Sequence, residues 1–303
     1  MDPNQLENPT SSSVDILGLF SKFQQELDRK YDRHERIVKS SRDVTIESKR
    51  VIFQLQRITR AGSDEERSRT LSAAQRKLGW IRQALLRRIV EEFSGGDGDD
   101  PLRYLRAYNF ALQEYIEAWA FYHFLQSGRL VDVEYIRNEL RFKLGAASQG
   151  EASSEAAAQR QQPVACGELP LPTLEFLLGV ADVAGEVMRF AVNSVSAGDL
   201  EAPRSSVAFL RCLFEGYSLF DQRRVAGPKQ SADFGTKFRV MRQSLLKVEY
   251  AAYLLRLRAL EFPEEESRRC AAAVSGAARS FHHPLEAEDE EEGGGAAAAA
   301  DYA

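Results

Sequence analysis

Cysteine is scarce in this chain. Cys166, Cys212 and Cys270 stand far apart, with no Cys-x-x-Cys pair and no even framework among 303 residues. That excludes a disulfide-stapled scaffold and suits a reducing compartment. Histidine is almost as rare. Of four, two are the adjacent His282 and His283, so no zinc constellation can be assembled. No run of eighteen apolar residues occurs, and a transmembrane helix is not expected. Met1–Ser13 has neither the basic nor the apolar region of a secretory signal. Proline is nearly absent from the long periodic stretches, and no alternating strand pattern persists. Phosphate-binding glycine loops, the Gly-x-Ser-x-Gly elbow and Glu-x-x-His pairs are all missing, which removes nucleotide-loop, serine-hydrolase and di-iron carboxylate readings.

What is present is a charge distribution that the net value of −5 hides. Residues 286–303 carry seven acids and no base, so the rest of the chain sums to +2. Between Asp28 and Arg60 ten Lys/Arg face five Asp/Glu. Such a basic helical segment can attract a phosphate backbone, or it can be a solvated face laced with ion pairs. Charge alone favours the second.

The periodicity predicts an all-α protein: a single-domain bundle of about seven to eight antiparallel helices. The expected helices cover about 14–40, with Ile16, Phe20, Phe23, Leu27 and Tyr31 at helical spacing and Ser13 as N-cap, then 43–60, with Ile46, Phe53 and Ile58 as burial candidates. A third, 64–93, opens on a Ser63/Glu66 capping box and stops at the glycine-rich segment 94–100. Others follow at about 101–127, ending before Gly128, then 132–142, 172–196, 200–221 and 232–261. The domain is expected to span 14–262, after a flexible tail at 1–13. Residues 144–168, poor in apolar bulk, read as a mobile internal loop, and 263–303 as an acidic, Gly/Ala-rich disordered tail.

Four carboxylates stand out inside the most apolar of these helices. Glu114 and Glu117 are three residues apart, and Asp182 and Glu186 four, so each pair shares a helix face. Phe110, Glu114, Glu117 and Phe121 follow the spacing of a buried seam. Gly179, Ala181, Ala184 and Gly185 surround the second pair, and small residues let another helix come close. Acids converging in an interior need a compensating cation. A hard divalent ion such as Mg²⁺ takes oxygen ligands, and pairing with Arg106 or Arg189 is the plainer alternative. His123 is a lone histidine among aromatics, a core residue or a contact to a base or phosphate. Cys212 and Met188 read as core filler.

At these residues the chain resembles the translin family, over about residues 14–262. The carrying segments are Phe23-Gln-Gln-Glu-Leu-Asp28, Ser41-Arg-Asp-Val-Thr-Ile-Glu-Ser-Lys-Arg50, Leu112-Gln-Glu-Tyr-Ile-Glu-Ala118 and Leu178-Gly-Val-Ala-Asp-Val-Ala-Gly-Glu-Val-Met-Arg189. Asn193-Ser-Val and Gln243-Ser-Leu-Leu-Lys-Val-Glu249 continue the match. The resemblance implies assembly with translin into a closed hetero-oligomer. It also implies Mg²⁺-dependent endoribonuclease activity on single-stranded or nicked passenger-strand RNA, in RNA silencing and tRNA-fragment processing. Single-stranded DNA is a second candidate ligand.

Carried over by position, the catalytic acids are Glu114, Glu117, Asp182 and Glu186. Glu117 and Glu186 are the expected direct metal ligands, and Glu249 is a weaker candidate. With the resemblance in view, Arg36, Lys39, Arg42, Lys49, Arg50 and His123 become candidates for RNA contact, and exposed apolar helix surface is expected to meet translin. A non-catalytic scaffold that stabilises translin and binds nucleic acid is the alternative. The expected compartment is the cytoplasm, with the nucleus second. Two departures stand against the family pattern: no base in Met1–Ser13, where animal members carry a basic targeting tract, and the acidic tail after Pro284.

Overall fold

The computed structural model describes residues 16–60, 62–94, 100–144, 165–197, 199, 201–221, 224, 227–261 and 271–281. The expected N-cap Ser13, most of the expected internal loop and the acidic end of the chain lie outside the described residues. Nine α-helices make up the described fold: α1 Ile16–Gln56, α2 Asp64–Trp80, α3 Arg87–Glu91, α4 Leu105–Ser127, α5 Val133–Glu139, α6 Thr173–Ser196, α7 Ala202–Ser218, α8 Pro228–Glu261 and α9 Ala271–Ser280. A π-helical stretch, Ile81–Leu86, joins α2 to α3 in one helical path, matching the single helix expected there. The architecture is all-α, as the periodicity predicts.

The helix ends are where local chemistry puts them. Ser63 Oγ accepts the Glu66 amide, and the Glu66 carboxylate takes the Gly62 N–H, one residue earlier than a strict capping box would place it. Asp100 caps the short turn Pro101–Tyr104 that leads into α4. Gly128 ends α4 in the left-handed region, at φ 69°, and its N–H returns to Phe124.

Four expectations change. The helices expected at 14–40 and 43–60 are one helix, α1, 41 residues long. Ser40 and Ser41 cost only about 0.5 kcal/mol each in helix propensity. Ile37, Ser41, Val44, Ser48, Val51 and Leu55 run unbroken as its buried stripe, so continuity wins. Segments inside the expected loop and just before it form a short antiparallel ribbon, β1 Arg141–Leu144 with β2 Ala165–Glu168, pairing Phe142 with Gly167. Residues 271–280, placed in the expected tail, fold as α9. Val274 and Ala278 are buried against α6 and α8, and Ser275 Oγ donates to the Val192 carbonyl.

Fourth, the apolar stripe Ile16, Phe20, Phe23, Leu27 and Tyr31 is exposed, as are Ile46, Phe53, Phe110 and the expected core filler Cys212, whereas Ile58 and Phe121 enter the core. Periodicity identified an apolar face, but nothing in the described chain covers it.

Helices α4 and α6 are the centre of the bundle. Nearly every α4 side chain from Ala107 to Leu125 is buried, with α1 on one side and α6 on another. Helix α6 in turn packs against α7, α8 and α9. Helices α4 and α6 come close together at Gly179. A Cβ built there would lie 2.8 Å from the Gln113 carbonyl oxygen and 2.9 Å from Ile116 Cβ, both on the α4 framework. A Cβ at Gly185 meets nothing within 4 Å.

Thermal melts should separate the two glycines. Gly179→Ala forces the central helices apart and is expected to cost about 1–3 kcal/mol, a Tm loss of several degrees. Gly185→Ala gains helix propensity and should be neutral or stabilising by up to about 1 kcal/mol. Equal effects would remove the close approach as a constraint.

Candidate functional site

The Gly179 contact brings the acid-bearing faces of α4 and α6 together. Glu114, Glu117 and Glu186 are buried and line one cleft of about 860 Å³ with Lys49, Ile52, Phe53, Gln56 and Arg57 of the α1 region and Arg189 and Asn193 of α6. Asp182 stands one turn before Glu186, partly exposed and outside the cleft lining. The four nevertheless form one electrostatic group, because Glu117 feels repulsion from Asp182, Glu114 and Glu186.

Three of the acids have protein partners. Lys49 Nζ from α1 lies 3.0 Å from Glu114 Oε1, while Glu114 Oε2 is buried with no hydrogen-bond partner. Lys237 Nζ from α8 sits 2.5 Å from Asp182 Oδ2 and also donates to Gln113 Oε1 at 2.9 Å and the Leu178 carbonyl at 3.1 Å. Gln56 Nε2 donates to Glu186 Oε2 at 2.7 Å and to the Glu186 carbonyl, and Arg189 donates to both carboxylate oxygens at 2.8 and 3.1 Å. Of the two arginines weighed as partners for these acids, Arg189 takes that role and Arg106 does not.

Glu117 is the exception. It is 8% exposed and makes no ion pair or hydrogen bond among the described residues. Burial first, then repulsion from the three neighbouring acids, pushes its carboxyl up to about 9. Burial also raises Glu114 and Asp182, against the pull of Lys49 and Lys237 respectively.

The donors are all oxygen, one carboxylate oxygen is orphaned, and one carboxyl is buried without a direct partner. That set fits a hard divalent cation in chemistry and charge. Among the described residues, however, no three ligating side chains already stand within common reach of one ion. The lysines and Arg189 hold the acids in its place.

The remaining sequence candidates divide. Lys49 belongs to the acid site, where it pairs with Glu114 and lies 5.5 Å over the Phe110 ring. Arg36 is tied to Glu92 by two bonds of 2.9 Å, and Arg50 to Glu47. Lys39 and Arg42 line a separate surface cleft with Tyr31 and His34. His123 is not in the acid site. It packs between Trp119, Tyr122 and Tyr135, and burial lowers its pKa. Six residues past Glu117, it points about 240° around the helix. Glu249 is also outside, paired with Arg211 at 2.6 Å. Lys237 and Gln56, which organise two of the four acids, carry no motif and were not anticipated. Neither was Glu175, another buried acid, which accepts from Gln113 at 2.6 Å.

Comparison with known proteins places the chain in a family. The profile of the Translin family matches residues 32–259. The chain is 39% identical to "Translin-associated protein X" of Rattus norvegicus and of Mus musculus, in each case over 84% of this chain and 83% of the relative. It is 27% identical to the "Translin-associated protein X homolog" of Schizosaccharomyces pombe, over 77% of this chain and 85% of that one. The solved structure described as "Crystal structure of apo-NeC3PO" is similar at 16% identity, over 78% of this chain and 99% of that one, with a TM-score of 0.48.

A carboxyl raised from 4.5 to about 9 makes the fold less stable as pH rises between those values, since the unfolded chain ionises first. With divalent ions chelated, Glu117→Gln should match wild type near pH 5 and melt at progressively higher temperature than wild type toward pH 9. A gap independent of pH would contradict the assignment.

Proposed function

This chain belongs to the translin family, and from that premise we propose that it is the catalytic subunit of a Mg²⁺-dependent endoribonuclease assembled with translin. The observation that carries the reading is the all-oxygen site in an open cleft, with Glu117 buried and without an ion pair or hydrogen bond among the described residues. Glu117 and Glu186 would hold the ion, with Glu114 and Asp182 beside them. Bound Mg²⁺ supplies charge stabilisation of a phosphodiester and an activated water.

The chain's own groups do the rest. Gln56 and Arg189 fix the Glu186 carboxylate, and Lys49 and Lys237 neutralise Glu114 and Asp182 when the cation is away. Lys39 and Arg42, in their separate surface cleft, are the proposed phosphate contacts, which read no sequence. The exposed stripe from Ile16 to Tyr31 is a surface for translin, consistent with the name of the relatives. Single-stranded or nicked RNA is the proposed substrate, acted on in the cytoplasm and, second, in the nucleus.

The alternative is a non-catalytic scaffold, and one observation favours it: three of the four acids already have cationic or amide partners. Cleavage of labelled single-stranded RNA by the complex with translin separates the two. The proposal expects cutting with Mg²⁺ and none with EDTA. It also expects a loss of roughly 100-fold or more in Glu117→Ala and Asp182→Asn with assembly unchanged. Equal cutting by wild type and both variants would leave this chain a scaffold.

A further inference from the structure

The lining of the carboxylate cleft carries features beyond those the proposed chemistry uses. Arg57, Arg189 and Arg279 are all part of it. Arg189 is paired with Glu186, but among the described residues neither Arg57 nor Arg279 has a carboxylate partner. Arg279 instead donates to the neutral Asn193 Oδ1 at 3.0 Å, which orients its guanidinium and leaves its charge uncancelled. It comes from α9, beyond the stretch matched by the family profile. The buried Val274 and Ala278, the Ser275 hydrogen bond to Val192 and the Tyr250–Phe281 ring stack at 4.3 Å anchor that helix. The arginine is therefore presented from a fixed support.

Phe53 lines the same cleft one helical turn before Arg57 and is 73% exposed. A phenylalanine this exposed, flanked by cations and beside acids, has no packing role in the described chain. An open aromatic face offers stacking to any nucleobase, and unpaired guanidinium groups beside it suit phosphate.

Resting on the reading above, we infer that this part of the cleft, with Phe53, Arg57 and Arg279, is a nucleotide subsite for single-stranded RNA. A base stacks on Phe53, and Arg57 and Arg279 hold the phosphate next to the one presented to the carboxylates. These are positioning residues. They fix which phosphate of the strand lies at the acids without contacting the reacting atoms.

Binding of a fluorescein-labelled single-stranded RNA to the full chain in complex with translin tests this, read by anisotropy in EDTA over a range of KCl. Phe53→Ala should weaken binding about tenfold with the salt slope unchanged, because stacking releases no counterion. Arg279→Gln should flatten the slope of log K against log salt by about 0.7, one phosphate contact on a single strand. Arg279→Lys should restore it. All three side chains are exposed or replace an exposed one, so folding is not at issue. Wild-type affinity in Phe53→Ala, or a wild-type slope in Arg279→Gln, overturns the subsite. No cutting takes place in EDTA, so a failure of the catalytic reading shows in the Mg²⁺ cleavage assay and leaves these binding readouts separate.

Discussion

The contact between α4 and α6 at Gly179 is the constraint on which the rest of the structure depends. It allows two helices that are apolar on almost every side to approach until a single Cβ would collide with backbone. It also brings two pairs of carboxylates near one another, with Glu114, Glu117 and Glu186 buried and Asp182 partly exposed. Ionised acids in such a place are costly. Each of the outer helices that covers the seam brings a compensating group: Lys49 and Gln56 from α1, Lys237 from α8. Packing and charge are thus solved by the same elements.

Glu117 is the acid that the arrangement leaves unsolved. Its three neighbours are neutralised or hydrogen-bonded, and they repel it. A protein selected only for stability would gain by replacing such a group with an apolar one of similar volume. Its presence inside an open cleft is the physical ground for the cation site proposed above.

Much of this was legible from the sequence, because the decisive signals are local. The i,i+3 and i,i+4 spacings of the acids, the small residues around Asp182, the Ser63 cap and Gly128 each act within one or two helical turns. What was not legible is what arrives from elsewhere. Lys237 reaches Asp182 from 55 residues away, and nothing in its own neighbourhood distinguishes it from any other helical lysine. The break expected near Ser40 rested on weak propensity and lost to a stripe of buried residues from Ile37 to Leu55. The Ile16–Tyr31 pattern announced an apolar face without saying whether this chain or a partner covers it. His123 is different: its angular offset from Glu117 could have been worked out from spacing alone.

The most direct measurement is calorimetric titration of Mg²⁺ into the assembled complex in two buffers of different ionisation enthalpy, near pH 7.5. If Glu117 is protonated without the cation and ligates it as a carboxylate, binding releases about one proton per ion, and Glu117→Gln abolishes that release. Binding with no proton release, or the same release in Glu117→Gln, would contradict a cation site centred on Glu117.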